Sequence, residues 1–533
     1  MMAKQKNSKA IANLSYLKRV FSIPGDEMAT LHKLEKKLSL NLDEFLKESK
    51  VAGEISLETL SKIFSDINLP EDPCFVTDQV NYLLKNVIPH SVHTGSPKFI
   101  GHMTSSIPYF LLSLSKCMVA LHQNVVKIET SRSFTFLERQ TLSVLHRLCY
   151  NKSPQFYKKY VQKRNATLGI QCSGGTVANI TAMWIARNAF IEEYCGKNKD
   201  EQSLVQALLK SGYQNCCILV SQRGHYSLKK AADLIGLGQQ GIRVIPVTSK
   251  HCMDMKSLKT AYKACLKEKI KPIAVVGIAG TTETGSIDPL ENIATFCEEK
   301  QLHFHVDAAW GGATLFSETH RKKLKGIEKA DSIVLDGHKQ LYLPMGVGML
   351  FFKDPKTADL IEHQAQYIIR SNSLDLGKRS LEGSRAGMAM LTHSALNILG
   401  RKGYEILINQ NIKMAKNFAK LIQNHPDFEL ITSPQLNILT YRFVPIFKKK
   451  KVQVSNRILS DLNTSLQKEQ RERGISFVSR TTFRNPEPTG ETITVLRSVI
   501  ANPHTTLQDF KNILEEQSEI GYRLIKKHQS LYI

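Results

Sequence analysis

Two residues thirty-two positions apart, Asp307 and Lys339, carry the strongest chemical signal in the sequence. Each follows a short apolar run, residues 302–306 and 332–335, of the kind that forms a strand buried on both faces of a parallel sheet. Strands of that kind deliver polar residues to the loops at their carboxyl ends, where ligands bind. A lysine in such a loop, flanked by His338 and Gly337, suits a nucleophilic amine, because partial loss of water favours the uncharged form with a free lone pair. An aspartate at the neighbouring strand end suits a carboxylate that faces a protonated ring nitrogen. Taken singly, the plainer alternatives are a turn-forming or helix-capping aspartate and a solvated surface lysine.

Together, in this order, they match what pyridoxal phosphate (PLP) requires: an amine to hold its aldehyde, and an anion to keep its pyridine protonated so that the ring accepts electrons. Other stretches add to this pair. In QCSGGTVANITAMWIAR, Gly174 and Gly175 permit close backbone approach, Thr176 offers a hydroxyl, and the helix that follows points free N–H groups at an anion. That makes a cradle for a phosphate, with an ordinary helix cap as the alternative. His225, in SQRGHYSLKKAADLIG, sits at the end of an expected strand, where a planar ring can stack on a ligand or cap the helix from Ser227. Thr281 and Thr282, in GIAGTTETGSIDP, offer hydroxyls that hold either Asp307 or a ring substituent, or else serve turn chemistry. Arg497 lies inside the apolar run VLRSVIANPHTT and needs an anionic partner, either a ligand carboxylate or a structural ion pair.

The wording HVDAAWGG, DGHKQLYLPMGVG, SPKFIGHMTSSIPY and SLEGSRAG resembles the PLP-dependent group II amino-acid decarboxylases, within them the bacterial aspartate 1-decarboxylase/glutamate decarboxylase branch. The resemblance runs from about residue 80 to the C-terminus. It implies a fold type I, PLP-dependent transferase-like α/β large domain with a mostly parallel sheet, a helical N-terminal segment and a small C-terminal α+β domain. It also implies that Lys339 holds the cofactor, that Asp307 pairs with the ring nitrogen, and that His225 stacks on the ring. Gly175, Thr176, Thr282, Ala309 and His338 fall at the family's other cofactor positions, and Arg497 at the position that binds the substrate α-carboxylate. Tyr367, twenty-eight residues after Lys339, falls near the family's mobile-loop tyrosine and is implied as proton donor to Cα. Several relatives carry Asn-Gln where this chain has Gly101 and His102, so His102 is a candidate contact to the substrate side chain. An acidic amino-acid substrate is implied, aspartate first and glutamate second, with no metal. The alternatives are an aromatic amino-acid decarboxylase, a lyase for phosphate-bearing amines, or a non-catalytic basic binding protein on the same fold.

These residues must be positioned by a sizeable framework. With 533 residues the chain is too long for one core, and 42% hydrophobic residues can bury a large interior. We expect three units: a helical segment over 1–100, the large domain over 101–395 and the small domain over 396–533. Strands are expected at 168–171, 218–221, 242–247, 273–278, 302–306, 333–335 and 347–352, separated by amphipathic stretches, with a helical connector between Asp307 and Lys339. That alternation predicts a mostly parallel sheet with right-handed crossovers. Helices are expected at 27–38, 40–50 and 56–63, then a break at Pro70 and Pro73. In the last unit, helices are expected at 404–421 and 506–522, strands at 437–443 and 492–499, and a turn cluster at 485–490.

The 72 Lys and Arg against 48 Asp and Glu give a net charge of +24, which reads as a lysine-rich solvated surface, since no nucleic-acid-binding motif accompanies it. Ten cysteines without CxxC or metal-ligand spacing favour free thiols in a reducing compartment, hence a cytoplasmic protein. No apolar run reaches the ~18 residues of a membrane span; residues 107–121 come nearest and include Lys116. The N-terminal stretch has no acid before Asp26 and is read as a basic arm rather than a targeting presequence. A homodimer is expected from the family resemblance and from the prevalence of two-fold assemblies.

Overall fold

Seven short apolar runs pair into one sheet in the computed structural model, which describes residues 31–198, 202–363, 373–447, 450–451, 455–484 and 491–527 and scattered positions between 13 and 21. In chain order the strands are β1 (Gly169–Cys172), β2 (Asn215–Ser221), β3 (Ile242–Ile245), β4 (Ile270–Ile278), β5 (His303–Asp307), β6 (Ser332–Asp336) and β7 (Gly348–Phe352). Their spatial order is β1-β7-β6-β5-β4-β2-β3. β2 to β6 pair in parallel, whereas β7 runs antiparallel to both of its neighbours.

The apolar runs are nearly continuous because both faces of the sheet are covered. Along β2, Ile218 and Val220 join a core formed with the helices Gly175–Cys195 and Ser227–Leu234. Cys217 and Leu219 point the other way, into a core shared with Met255–Lys267, Leu290–Lys300 and Ser133–Tyr150. This period-two division puts both layers of helices in register with the same strands.

The C-terminal part builds a second sheet, antiparallel throughout, in the order Ser479–Arg484, Thr492–Val499, Ile438–Phe443 and Phe428–Thr432. Phe418, Leu462, Leu466 and Phe510 pack on it from the helices Ala389–Asn424, Asn456–Arg473 and Leu507–Lys527.

Several expectations are corrected. The helices expected at 27–38 and 40–50 merge into one, Leu31–Lys47, among the described residues. The connector between Asp307 and Lys339 is a series of 3-10 turns, beginning at Gly311–Phe316, rather than an α-helix. The helix expected at 404–421 begins at Ala389 and bends at Gly400, whose φ of 61° suits a residue without a side chain. The strands Phe428–Thr432 and Ser479–Arg484 and the helix Asn456–Arg473 were not expected; their polar faces obscure the apolar period. Tyr367 and the turn cluster at 485–490 lie outside the described residues.

Candidate active site

A cavity of about 550 Å³ opens at the carboxyl ends of β2, β4, β5 and β6, within the range of roughly 300–1,000 Å³ usual for small-molecule sites. Asp307 and Asp336 are the last residues of adjacent strands β5 and β6, and Lys339 lies one turn beyond Asp336. Arg497 reaches the same cavity from the middle of the strand Thr492–Val499. The site therefore lies where the two sheets meet.

Asp307 is buried and is anchored from behind. Its Oδ2 accepts a hydrogen bond of 3.0 Å from Asn179 Nδ2, and its Oδ1 one of 3.2 Å from the Ala309 amide. A carboxylate only accepts, so the amide of Asn179 is oriented with Oδ1 towards His305, 2.9 Å from Nε2. His305 therefore carries its proton on Nε2, and its Nδ1 accepts from Ser332 Oγ at 2.8 Å. Burial holds His305 at a pKa of about 3, with Asp307 opposing the shift, which agrees with a neutral ring. The threonines do not hold Asp307: Thr281 turns into its own loop, bonding to Thr284 Oγ1 at 2.8 Å and accepting from the Ser286 amide at 3.1 Å. Thr282 and Ala309 line the cavity.

The buried imidazoles set an acid limit on stability. Burial lowers His146 and His251 to about 4 and His305 to about 3 in the folded chain. The unfolded chain therefore binds protons first, and this contribution is full above the unfolded value of about 6.5 and lost as pH falls towards the folded values. A thermal-unfolding series should show the midpoint falling progressively from about pH 6.5 down to about pH 4, and less steeply in a His305→Asn variant; a flat midpoint over that window would contradict the assignment.

Lys339 Nζ lies 2.9 Å from Asp336 Oδ2, so the amine pairs with Asp336 rather than with Asp307. His338 donates through Nδ1 to the Val347 carbonyl at 2.9 Å and turns Nε2 towards the same Asp336 oxygen at 3.7 Å. Sequence reasoning missed Asp336, although its place three residues before Lys339 at a strand end was a usable signal. It also missed Asn179, which sits in the second turn of Gly175–Cys195 and looked like one more helical residue.

The start of that helix is too tight for side chains. A Cβ on Gly175 would lie 2.7 Å from Asp336 Oδ2, and one on Gly348 would meet the Gly174 backbone at 2.6 Å. The helix N-terminus thus opens directly onto the cavity, with Thr176 in its first turn. His225 also lines the cavity, from a turn four residues beyond β2 rather than from the strand end. Its Nδ1 accepts from the Ser227 amide at 3.3 Å and lies 2.7 Å from Ser227 Oγ, so the cap and the cavity-facing ring coexist. Burial lowers its pKa, against the pull of Asp307.

Arg497 donates through Nη1 to Ser479 Oγ at 3.1 Å and lies 3.5 Å from the Gly101 carbonyl, while its buried Nε has no hydrogen-bond partner. Among the described residues it forms no ion pair. Burial brings its pKa down to about 10, partly offset by Glu283. His102 lines the cavity with Nδ1 3.2 Å from Thr104 Oγ1, and its pKa is lowered by burial and then by the charges of Arg497 and Lys339.

This donor set fits PLP. It offers an amine in the cavity, a buried carboxylate held in a fixed orientation, and a histidine ring beside a glycine-tight helix N-terminus able to take a phosphate. Among the described residues no group of three or more His, Cys, Asp or Glu could hold a metal ion. No described helix is long and apolar enough to cross a membrane, and residues 110–121 form a twelve-residue helix.

Comparison with known proteins agrees with this geometry. A family model described as the pyridoxal-dependent decarboxylase conserved domain matches residues 63–444. Aspartate 1-decarboxylase of Aliivibrio fischeri is 48% identical over 527 residues, spanning 97% of this chain and 96% of that protein. An acidic amino acid decarboxylase of Xenopus tropicalis is 26% identical over 475 residues, or 87% of this chain and 86% of that one. The solved structure of mouse CSAD in apo form superposes with a TM-score of 0.79 at 25% identity, covering 92% of this chain and 99% of that chain.

Proposed function

The chain belongs to the pyridoxal-dependent decarboxylase family, and from that premise we propose that it releases the α-carboxylate of an acidic L-amino acid as CO₂, acting on aspartate to yield β-alanine and, second, on glutamate to yield γ-aminobutyrate. The observation that carries the reading is the meeting of Lys339, Asp307 and the orphaned donor of Arg497 in one cavity. The similarity to an aspartate 1-decarboxylase along nearly the whole chain supports aspartate as the first substrate to test.

PLP, when bound, supplies a conjugated ring that accepts the electron pair of the breaking Cα–carboxyl bond. Every other part of the work falls to side chains. Lys339 Nζ is the amine that carries the cofactor, with Asp336 as its counter-charge and His338 beside it. Asp307 keeps the proton on the ring nitrogen, and Asn179 with the Ala309 amide prevents it from swinging away. Gly175, Thr176 and the free amides of their helix hold the phosphate. His225, Thr282 and Ala309, which line the cavity, would enclose the ring, His225 by stacking and the two smaller residues by limiting its tilt.

Arg497 fixes the α-carboxylate through its Nε–H, which has no hydrogen-bond partner among the described residues. Its place at the junction of the two sheets sets the angle of the scissile bond, and orientation decides which bond to Cα breaks. His102 faces the substrate side chain. Tyr367, outside the described residues, is the proton donor to Cα. Two copies pair in this reading, supported by the exposed Leu40, Leu42 and Leu46 on the helix Leu31–Lys47, and the protein works in the cytoplasm, where its ten free thiols persist.

The test is direct. Purified protein supplied with PLP and a pool of acidic, aromatic and phosphorylated amino acids should yield β-alanine in greatest amount, measured by mass spectrometry. γ-Aminobutyrate as the main product would reverse the substrate order. An aromatic amine, a phosphate-bearing product or no amine at all would overturn the acidic-substrate reading.

A further inference from the structure

Asp307, Lys339 and Arg497 stand on three separate segments: the end of β5, the loop after β6, and the second sheet. One buried asparagine bonds to all three segments. Asn437 lies immediately before the strand Ile438–Phe443, and its Oδ1 accepts from Trp310 Nε1 at 3.0 Å, three residues after Asp307. Its Nδ2 donates to Gln340 Oε1 at 3.0 Å, next to Lys339, and to the Ile500 carbonyl at 2.8 Å, three residues after Arg497. The Ile500 amide returns a bond to the Asn437 carbonyl at 2.8 Å, and Gln340 Nε2 closes the triangle on the Trp310 carbonyl at 2.8 Å.

The chemistry of the partners fixes this arrangement. An indole N–H only donates, so Asn437 must turn its oxygen to Trp310, and both hydrogens of its Nδ2 are then spent on Gln340 and Ile500. A carboxylate, a hydroxyl or an apolar side chain could not make all three bonds. Gln340 and Trp310 are buried as well, and a fully satisfied buried network specifies one arrangement of the parts it joins. A second tie runs beside it: the buried Tyr342 donates to the Ala501 carbonyl at 2.9 Å and accepts from Asn411 Nδ2 at 2.7 Å. Its φ of 57° is a conformation a tyrosine keeps only where its surroundings hold it. Neither Asn437 nor Gln340 lines the cavity, so their influence on it passes through their neighbours.

Resting on the decarboxylase reading above, we propose that Asn437 is a positioning residue: it holds the amine of Lys339, the carboxylate of Asp307 and the guanidinium of Arg497 in one register, and so decides which bond to Cα breaks. With the three in register, the Cα–carboxyl bond stands across the cofactor ring and CO₂ leaves. With Arg497 displaced relative to Lys339, the Cα–H bond takes that place instead. Its proton then passes to the carbon of the cofactor aldehyde, the amino group stays on the cofactor, and water supplies the oxygen of the 2-oxo acid that departs with both of its carboxylates. Asn437 itself donates no proton to the substrate and touches none of the reacting atoms.

Asn437→Ala removes all three bonds and leaves the Tyr342 tie in place. In the PLP-loaded full chain acting on aspartate, kcat for CO₂ release should fall by about ten- to a hundredfold, with KM changed by less than about threefold because the substrate contacts themselves remain. The yield of 2-oxo acid per CO₂ should rise by at least about tenfold, since the two bonds compete for one orientation. A protein that merely folded less well would make less of both products in the same ratio. Gln340→Met, close in volume, removes one corner of the triangle and should shift the ratio the same way by less; combined with Asn437→Ala its effect should be less than additive. In the cofactor-free full chain, hydrogen exchange should quicken in Asn437→Ala over both 337–343 and 498–502.

The inference is overturned if kcat falls while the product ratio stays at the parent value, if the loss appears in KM instead, or if exchange quickens in only one of the two segments or in neither. Should Asn437→Ala fail to fold, Gln340→Met decides on the same readouts. Joint quickening of both segments in a chain that decarboxylates no acidic amino acid would sustain the tie and refute the activity. Formation of β-alanine with an unchanged product ratio in both variants would do the reverse.

Discussion

Lys339→Ala protein is expected to lose covalently held PLP and, with it, more than about a thousandfold of decarboxylase turnover, because no other lysine lines the cavity among the described residues. The substitution also leaves Asp336, only 3% exposed, without the ammonium that lies 2.9 Å from it, and its other oxygen already lacks a partner. An uncompensated buried carboxylate is destabilising, so the variant should melt at a lower temperature than the parent. Lys339→Ala/Asp336→Asn removes both charges and should recover the melting temperature while leaving activity absent. Cofactor absorbance after gel filtration, turnover and thermal unfolding separate the two effects. Normal turnover by Lys339→Ala would refute its assigned role, whereas a melting temperature that Asp336→Asn fails to recover would refute only the charge argument.

Asp307→Asn tests the other half of the pair with the smallest change in shape. The amide can still accept the 3.0 Å hydrogen bond from Asn179, so the network through His305 to Ser332 should persist. What disappears is the negative charge opposite the ring nitrogen, together with the 3.2 Å bond from the Ala309 amide, which an amide nitrogen cannot accept. An opposite charge at contact shifts a pKa by roughly 1–3 units, and at about 1.4 kcal/mol per unit turnover should fall by about ten- to a thousandfold. PLP should still bind, because Lys339, Thr176 and the helix N-terminus are untouched. Asp307→Glu keeps the charge but lengthens the side chain, and by crowding the Asn179 anchor it should lose cofactor affinity instead. Full activity in Asp307→Asn would remove Asp307 from the mechanism.

The two predictions differ in how far local sequence alone could have led to them. Asp307 and Lys339 were legible because the strands that carry them are short, apolar and buried on both faces. That pattern locates their carboxyl ends to within a residue or two. The phosphate cradle was legible for a related reason, since paired glycines before a helix are a local backbone feature. Arg497 stood out because an arginine inside an apolar strand requires compensation.

What supports these residues was not legible. Asn179 is an ordinary helical residue until its helix crosses β5, where it meets Asp307 and His305. Asp336 could be seen beside Lys339, but chain spacing does not say which of two aspartates an amine will reach. The hydroxyl of Thr281 was a fair candidate to hold Asp307 and instead closes its own turn. The polar strands of the second sheet were missed because polar residues break the apolar period along each, although their pairing partners lie only 8 to 18 positions away.

The sequence by itself determined the local elements of this protein: seven buried strands, a glycine-tight helix start, and a lysine and an aspartate at neighbouring strand ends. These follow from backbone sterics and from the period of apolar residues, which act over a few positions. Only the tertiary structure decided the strand order, the antiparallel β7, the pairing of Lys339 with Asp336, and the gathering of Lys339, Asp307 and Arg497 at one cavity. Such contacts join residues far apart in the chain, as where Arg497 lies 3.5 Å from the Gly101 carbonyl, 396 positions away. They depend on how whole helices and sheets fill space against one another, which no short window of sequence contains.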